Sequence, residues 1–267
     1  MANLFFPQLS SGAYAQYPIR KLKIGRTVKN ILPDGSLIVF SDPYASRMEW
    51  QLSYSNLDDS DVAALQQHFS ACAGPVHAFT FIDPTDNMLV SSIDMSQNPW
   101  QNSGNFTFGR NSADPNGGTA ALTVTNDCQI PQSLTQTLAV PSGYQYCFSI
   151  YARSSEPTTV ALVRRGTTAQ ASASFAVGPF WTRLVSSGRL NDSGTTFSVA
   201  VVINPAQQIQ IYGPQLEPQI TPSAYRATSA RSGVYTNAHW AIDRLAVIAE
   251  APHLFSTTIT IDAVVMS

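Results

Sequence analysis

The residues best suited to chemistry in this chain are aromatic. Trp100, Tyr144 and Tyr146 lie in a polar stretch rich in serine, asparagine and glycine, and Trp181 and Tyr212 lie further along it. An aromatic face can stack on the apolar side of a pyranose while amide and carboxylate side chains hold the hydroxyls. That makes Trp100, Tyr144 and Tyr146 the candidate carbohydrate-binding residues. The competing role for each is packing: Trp181 is expected in a core, and Trp100, beside a polar linker, is placed either as a platform or as a seal between domains. Asp114-Pro-Asn-Gly-Gly118 has ligand types for a structural calcium, but a tight turn is its simpler reading.

No GxSxG, HExxH, P-loop or dinucleotide-binding glycine pattern occurs. His68, His77, His239 and His253 are scattered and are assigned ordinary packing or surface roles. Paired carboxylates could meet only in the fold, and Asp114, Asp127, Glu156, Asp192 and Glu217 stand in no suggestive context. No catalytic residue, metal or cofactor is therefore expected, and the chain is not read as an enzyme. Cys72, Cys128 and Cys147 show no metal spacing, and with no signal peptide in Met-Ala-Asn-Leu-Phe-Phe-Pro they are expected reduced, in a protein made in a cytoplasm. A Cys128–Cys147 bridge is the minor alternative.

Only 12% of the 267 residues are charged, about half the ~25% usual in soluble domains. Such surfaces suit β-rich proteins that pack against neighbours, because each buried charge needs a partner. A net charge of −2 indicates no general attraction to nucleic acid. No apolar run approaches the ~20 residues of a membrane span. The one basic cluster, Arg20-Lys-Leu-Lys-Ile-Gly-Arg26, alternates with apolar residues and reads as a strand with a basic face, solvated or set against an acidic neighbour.

The elements that must position these residues fall into two textures. Met48, Trp50, Leu52 and Tyr54 alternate with polar residues as a half-buried strand, and Pro33-Asp34-Gly35 turns a hairpin between 28–31 and 37–40. Asp58 caps a helix, with Asp61 three residues on and Leu57/Val62 as a staple. Val62, Leu65, Phe69 and Cys72 form its apolar stripe, and Gly74-Pro75 ends it. A strand follows over 76–82. From 97 to 228, eight short β-rich runs between turn residues predict a two-sheet sandwich, a jelly roll. After a short strand over 233–240, Phe255 to Ala263 alternates again. A lone terminal strand must join a sheet laid down earlier. The fold expected is therefore mainly β: a β-sandwich or barrel with one flanking helix over 1–96, split by a sandwich over 97–228, and completed by return strands over 229–267, with polar hinges at 98–104 and 222–229.

Arg47-x-x-Trp50, Tyr54-x-Asn-Leu57, the capped helix, Gly74 and Phe79-x-Phe-x-Asp-Pro84 together resemble the tube-like domain of tailed-phage distal tail proteins, as do the closing Gly233-Val-Tyr235 and Phe255-Ser-Thr-Thr-Ile-Thr-Ile261. Tyr151-Ala-Arg153, Phe180-Trp-Thr-Arg183, Gly213-Pro-Gln-Leu-Glu217 and Pro222-Ser-Ala-Tyr225 resemble carbohydrate-binding-module or galactose-binding-like sandwiches. The resemblance implies a virion protein of the tail tip: a homo-oligomeric ring, usually a hexamer, joining the tail tube protein to hub or baseplate proteins, with DNA passing only through its lumen. The insert would face outward toward host glycans or receptor-binding proteins. A glycan-binding adsorption module is the alternative, and a polysaccharide depolymerase a more distant one.

Overall fold

The computed structural model describes residues 4–265, apart from the side chains of 43–45, so Met1-Ala2-Asn3 of the opening segment lies outside the described residues. In chain order the elements are β1 (Ile19–Ile31), β2 (Leu37–Leu57), α1 (Asp59–Ala71), β3 (Phe79–Ile82), β4 (Gln101–Asn102), β5 (Phe106–Ser112), β6 (Ala121–Asn126), β7 (Gln132–Leu138), β8 (Tyr146–Arg153), β9 (Thr158–Arg165), β10 (Gln170–Val177), β11 (Thr182–Gly188), β12 (Phe197–Ile203), β13 (Gln208–Glu217), β14 (Val234–Trp240), β15 (Ile248–Ala251) and β16 (Leu254–Val264). The protein is mainly β, with one helix among the described residues. That helix is too short to cross a membrane.

The chain divides into two compact units, Met1–Phe81 with Tyr235–Ser267, and Ile82–Val234. The first, split unit is one sheet ordered β1-β2-β16-β14-β3, with β15 paired to β16. It is an open sheet rather than a closed barrel. The terminal strand β16 sits between β2 and β14, pairing Ile259 with Leu52 and Ile261 with Trp50. The alternation read in both segments explains this register: Trp50, Leu52, Ile259 and Ile261 are all fully buried on one face, and a one-residue slip would turn them to solvent.

Helix α1 covers that face. Asp58 Oδ1 accepts the N–H of Asp61 at 2.8 Å, the expected cap, but Asp61 does not reach back to complete a box; its carboxylate accepts the N–H of Ser10 at 2.7 Å. Leu57 of the staple and Val62, Leu65 and Cys72 of the stripe are buried, while Phe69 is half-buried against the Trp240 ring. Gly74, at φ +63°, donates its N–H to Phe69 O and closes the helix. The N-terminal segment adds a contribution the sequence did not advertise. Phe6 is fully buried against Tyr14, Phe79, Phe81 and Trp240, and its N–H bonds Thr80 O.

The β1–β2 hairpin is far longer than the eight residues read around its turn. Its register runs from Ile19↔Leu52 to Ile31↔Leu37. From Lys23 through Ser41 every residue is exposed on both faces, including Val28, Ile31, Leu37, Val39 and Phe40.

The second unit is the expected two-sheet sandwich, with five-stranded sheets ordered β10-β9-β12-β7-β4 and β11-β8-β13-β6-β5. Strands β6 to β13 account for the eight runs expected over 97–228, while β4 and β5 were not anticipated. The unit also takes in 82–96 and 229–234, which the sequence assigns to the other domain. Hydrogen bonds explain the shift. The Asn87 amide, fully buried, donates to Pro214 O and Arg226 O and accepts from the N–H groups of Leu89 and Leu216. Gln136 clasps both backbone groups of Val90 at 2.8 Å, and Thr228 and Ser92 bond each other. The stretch 222–229, expected as a hinge, is thus bonded to 87–92 through Arg226 and Thr228.

Candidate functional site

The three aromatic residues proposed from sequence do not form a platform. Trp100 is only 5% exposed and donates its Nε1–H to Ser91 O at 3.2 Å, so it packs the sandwich rather than facing a ligand. Tyr146 is fully buried; its ring lies 4.4 Å from that of Phe197, and its hydroxyl donates to Pro141 O. Burial also raises the Tyr146 phenol's pKa well above its ordinary value. Tyr144 is half-buried beside it at the sheet margin. The reason is parity: Tyr146 begins β8 with an inward position, and one aromatic cannot serve the core and a ligand together.

The other aromatic positions gather on the outer face of the β11-β8-β13-β6-β5 sheet. On β8, Ile150 and Ala152 point into the sandwich while Tyr151 and Arg153 face out; on β11, Leu184 points in and Arg183 out. Each strand carries an aromatic-x-Arg sequence, Tyr151-Ala-Arg153 and Trp181-Thr-Arg183, and the strands are antiparallel with Thr182 opposite Ala152. The two motifs therefore cross. The Arg153 guanidinium carbon sits 4.8 Å from the Trp181 ring centroid, and that of Arg183 sits 5.3 Å from the Tyr151 centroid. Trp181, expected in the core, is only half-buried, and Phe180 beside it is 82% exposed.

Both rows continue across the sheet. Arg153 donates from Nε to Gln210 Oε1, and Gln210 Nε2 donates to Thr123 Oγ1, which in turn bonds Ser112 Oγ at 2.7 Å. In the second row Tyr151 meets Tyr212 at 6.1 Å and Tyr212 meets Tyr225 at 5.1 Å, with Asn116 Nδ2 donating to the Tyr212 hydroxyl. A cavity of about 240 Å³ opens beside the first row between Arg153, Ser155, Pro179, Gln208 and Gln210. Among the described residues, the two buried side-chain donors without an acceptor are Trp181 Nε1 and Arg183 Nε, both in this face. An orphaned buried donor costs on the order of 1–3 kcal/mol, and such groups call for an explanation.

The motifs quoted near the end of the sandwich are the scaffold beneath this face. Gly213, at φ +62°, leaves room for the Tyr225 ring, which would lie 3.0 Å from any Cβ there. Glu217 accepts from Ser223 N–H and Oγ, while Gln215 Oε1 accepts the Arg226 N–H. Tyr225 donates to or accepts from Ser92 at 3.0 Å, and burial pushes its phenol up to about 12. Asp114 is the tight turn: its carboxylate accepts the N–H groups of Asn116, Gly118 and Ala120, and these bonds lower its pKa. Cys128 and Cys147 are both free thiols, and burial raises that of Cys147 to about 12.

The opposite sheet presents a different outer surface. A cavity of about 200 Å³ is lined by Ser133, Thr135, Val163, Ser198, Ala200 and Arg165, with no aromatic ring. It lacks the stacking surface that the first face has.

No family model matches this chain, and no curated protein matches it. Among solved structures, TmCBM61 in complex with β-1,4-galactotriose is similar at 17% identity over 49% of this chain and 97% of its own, with a TM-score of 0.38. The C-terminal family 22 carbohydrate binding module of Clostridium thermocellum Xyn10B is similar at 19% over 51% of this chain and 96% of its own, TM-score 0.41. The enzymatically active domain of bacteriophage CBA120 tailspike protein 4 is similar at 12% over 49% of this chain but 21% of its own, TM-score 0.39.

Proposed function

We propose that the sandwich unit is a non-catalytic glycan-binding module and that its ligand lies across the crossed Trp181/Arg153 and Tyr151/Arg183 pairs. The observation that carries this reading is the half-exposed alternation of aromatic rings with guanidinium, amide and hydroxyl groups on one sheet face. Rings offer the apolar side of a sugar a surface, and the flanking donors and acceptors satisfy its hydroxyls, the division of labour usual in ligand sites. The test is a glycan array followed by titration of any hit. Trp181→Ala should weaken binding at least ten-fold with the melting temperature kept within a few degrees, while Trp100→Ala should instead destabilise the fold. Undiminished binding by the Trp181 variant would remove the reading.

A second reading rests on a separate observation, the β1–β2 hairpin. A two-stranded ribbon with apolar residues exposed on both faces is marginal in water alone, and Val28, Ile38 and Phe40 on one face with Ile31, Leu37 and Val39 on the other ask for cover. We infer that copies of the chain cover one another there. We propose, from the sequence resemblance to distal tail proteins, that such an assembly is a ring of six at the phage tail tip, between the tail tube protein and hub or baseplate proteins. Ultracentrifugation checks it: Val28→Asp with Phe40→Asp should reduce the assembly to monomers that remain folded. A wild-type chain that stays monomeric at high concentration would refute it.

A further inference from the structure

The geometry points to an acidic ligand: we propose that the Trp181/Arg153 face selects sugars bearing a carboxylate or phosphate over neutral ones. The inference rests on the glycan-binding reading and adds the ligand's charge. Arg153 has five N–H groups; Nε donates to Gln210 and Nη2 to Ala113 O at 3.4 Å, so three remain unspent. Among the described residues no carboxylate pairs with either guanidinium. The candidate acids are engaged elsewhere. Asp114, one residue beyond the carbonyl that Arg153 holds, gives its oxygens to three backbone N–H groups. Glu217 reaches Arg183 only through Ser223, whose N–H and Oγ it accepts while Ser223 O accepts from Arg183 Nη1.

Two half-buried cations thus share a face with no carboxylate in direct contact, in a chain whose net charge is −2. Guanidinium is suited to carboxylate and phosphate because its planar fork bonds two oxygens at once. The Arg153 guanidinium lies over the Trp181 ring and is tied by Nε to Gln210, and Phe180 and the adjoining cavity leave space for a ring. An anion there would meet the unspent N–H groups directly, and a neutral hydroxyl would gain less from the same donors.

The test titrates the full chain with three probes: de-esterified polygalacturonate, neutral galactan and poly(glycerol phosphate), each at low and high salt. Polygalacturonate or the phosphate polymer should bind at least ten-fold more tightly than galactan, the two arms identifying which anion is preferred, and the advantage should shrink as salt rises. Arg153→Gln should bring the acidic polymers down to the level of galactan, whatever it does to galactan itself, and Arg153→Lys should retain only part of the preference. Equal binding of acidic and neutral polymers, or an unchanged preference in Arg153→Gln with a wild-type melting curve, overturns the inference but spares the glycan-binding reading. No binding to any of the three polymers overturns the inference, and an empty glycan array overturns both.

Discussion

Trp240 donates its indole N–H to His68 Nδ1 at 3.2 Å, joining a return strand to the helix across 172 positions of sequence. The bond requires a neutral imidazole, because Nδ1 must keep its lone pair. His68 Nε2 lies 3.7 Å from the Cys72 sulfur, and the rings of Phe6 and Phe79 enclose the edge-on remainder. Burial lowers the imidazole from 6.5 to about 4.

This sets a pH dependence. Between pH 6.5 and 4 the unfolded chain binds a proton at His68 and the folded chain does not, so stability falls as pH drops through that window. The difference in pKa corresponds to about 3 kcal/mol when complete. Thermal melts at pH 7 and pH 4.5 should show it as a lower transition in acid for the split unit. His68→Gln should be less stable at pH 7 and should lose much of the slope.

The seat of the terminal strand can be checked by truncating a side chain. Ile261 is fully buried opposite Trp50 in the middle of the sheet, so Ile261→Ala should cost about 2–5 kcal/mol. Thr258, exposed on the same strand, should tolerate alanine within about 0.5 kcal/mol. Denaturant titration of both variants separates a central strand from a peripheral one.

Gly213 and Gly25 make a further contrasting pair. Alanine at 213 would sit at φ +62° with its methyl 3.0 Å from the Tyr225 ring, a combined strain of about 1–3 kcal/mol. It should also displace Tyr225 from Tyr212 and disturb ligand binding on that face. Gly25 has nothing within 4 Å of its would-be Cβ, and Gly25→Ala should leave stability and binding alike.

Much of the frame was legible because period carries it. Two-residue alternation located β2 and β16, and the 3.6-residue stripe with Asp58 and Gly74 located α1. The β5 strand escaped because Phe106 to Ser112 is broken by Gly109 and by Asn111 at φ +60°. Asp192 stood in no suggestive context, yet its carboxylate accepts from Ser142 Oγ and from the N–H groups of Thr168, Ala169 and Gly194, bonds that hold its pKa well below the usual range. Gly194 lies two residues on, but Ser142 and Thr168–Ala169 come from two other loops, and no local pattern announces those.

The amino-acid order alone located the helix, most of the strands and the return of the last strand to the first sheet, since these follow from side-chain period and the cost of an unpaired edge. It also contained the paired aromatic-x-Arg motifs of the candidate site. Only the tertiary structure decided which aromatics face solvent. Tyr146, read as a platform, is buried, and Trp181, read as core, is half-exposed, because the side of the sandwich each takes depends on the register between strands that lie far apart in the chain.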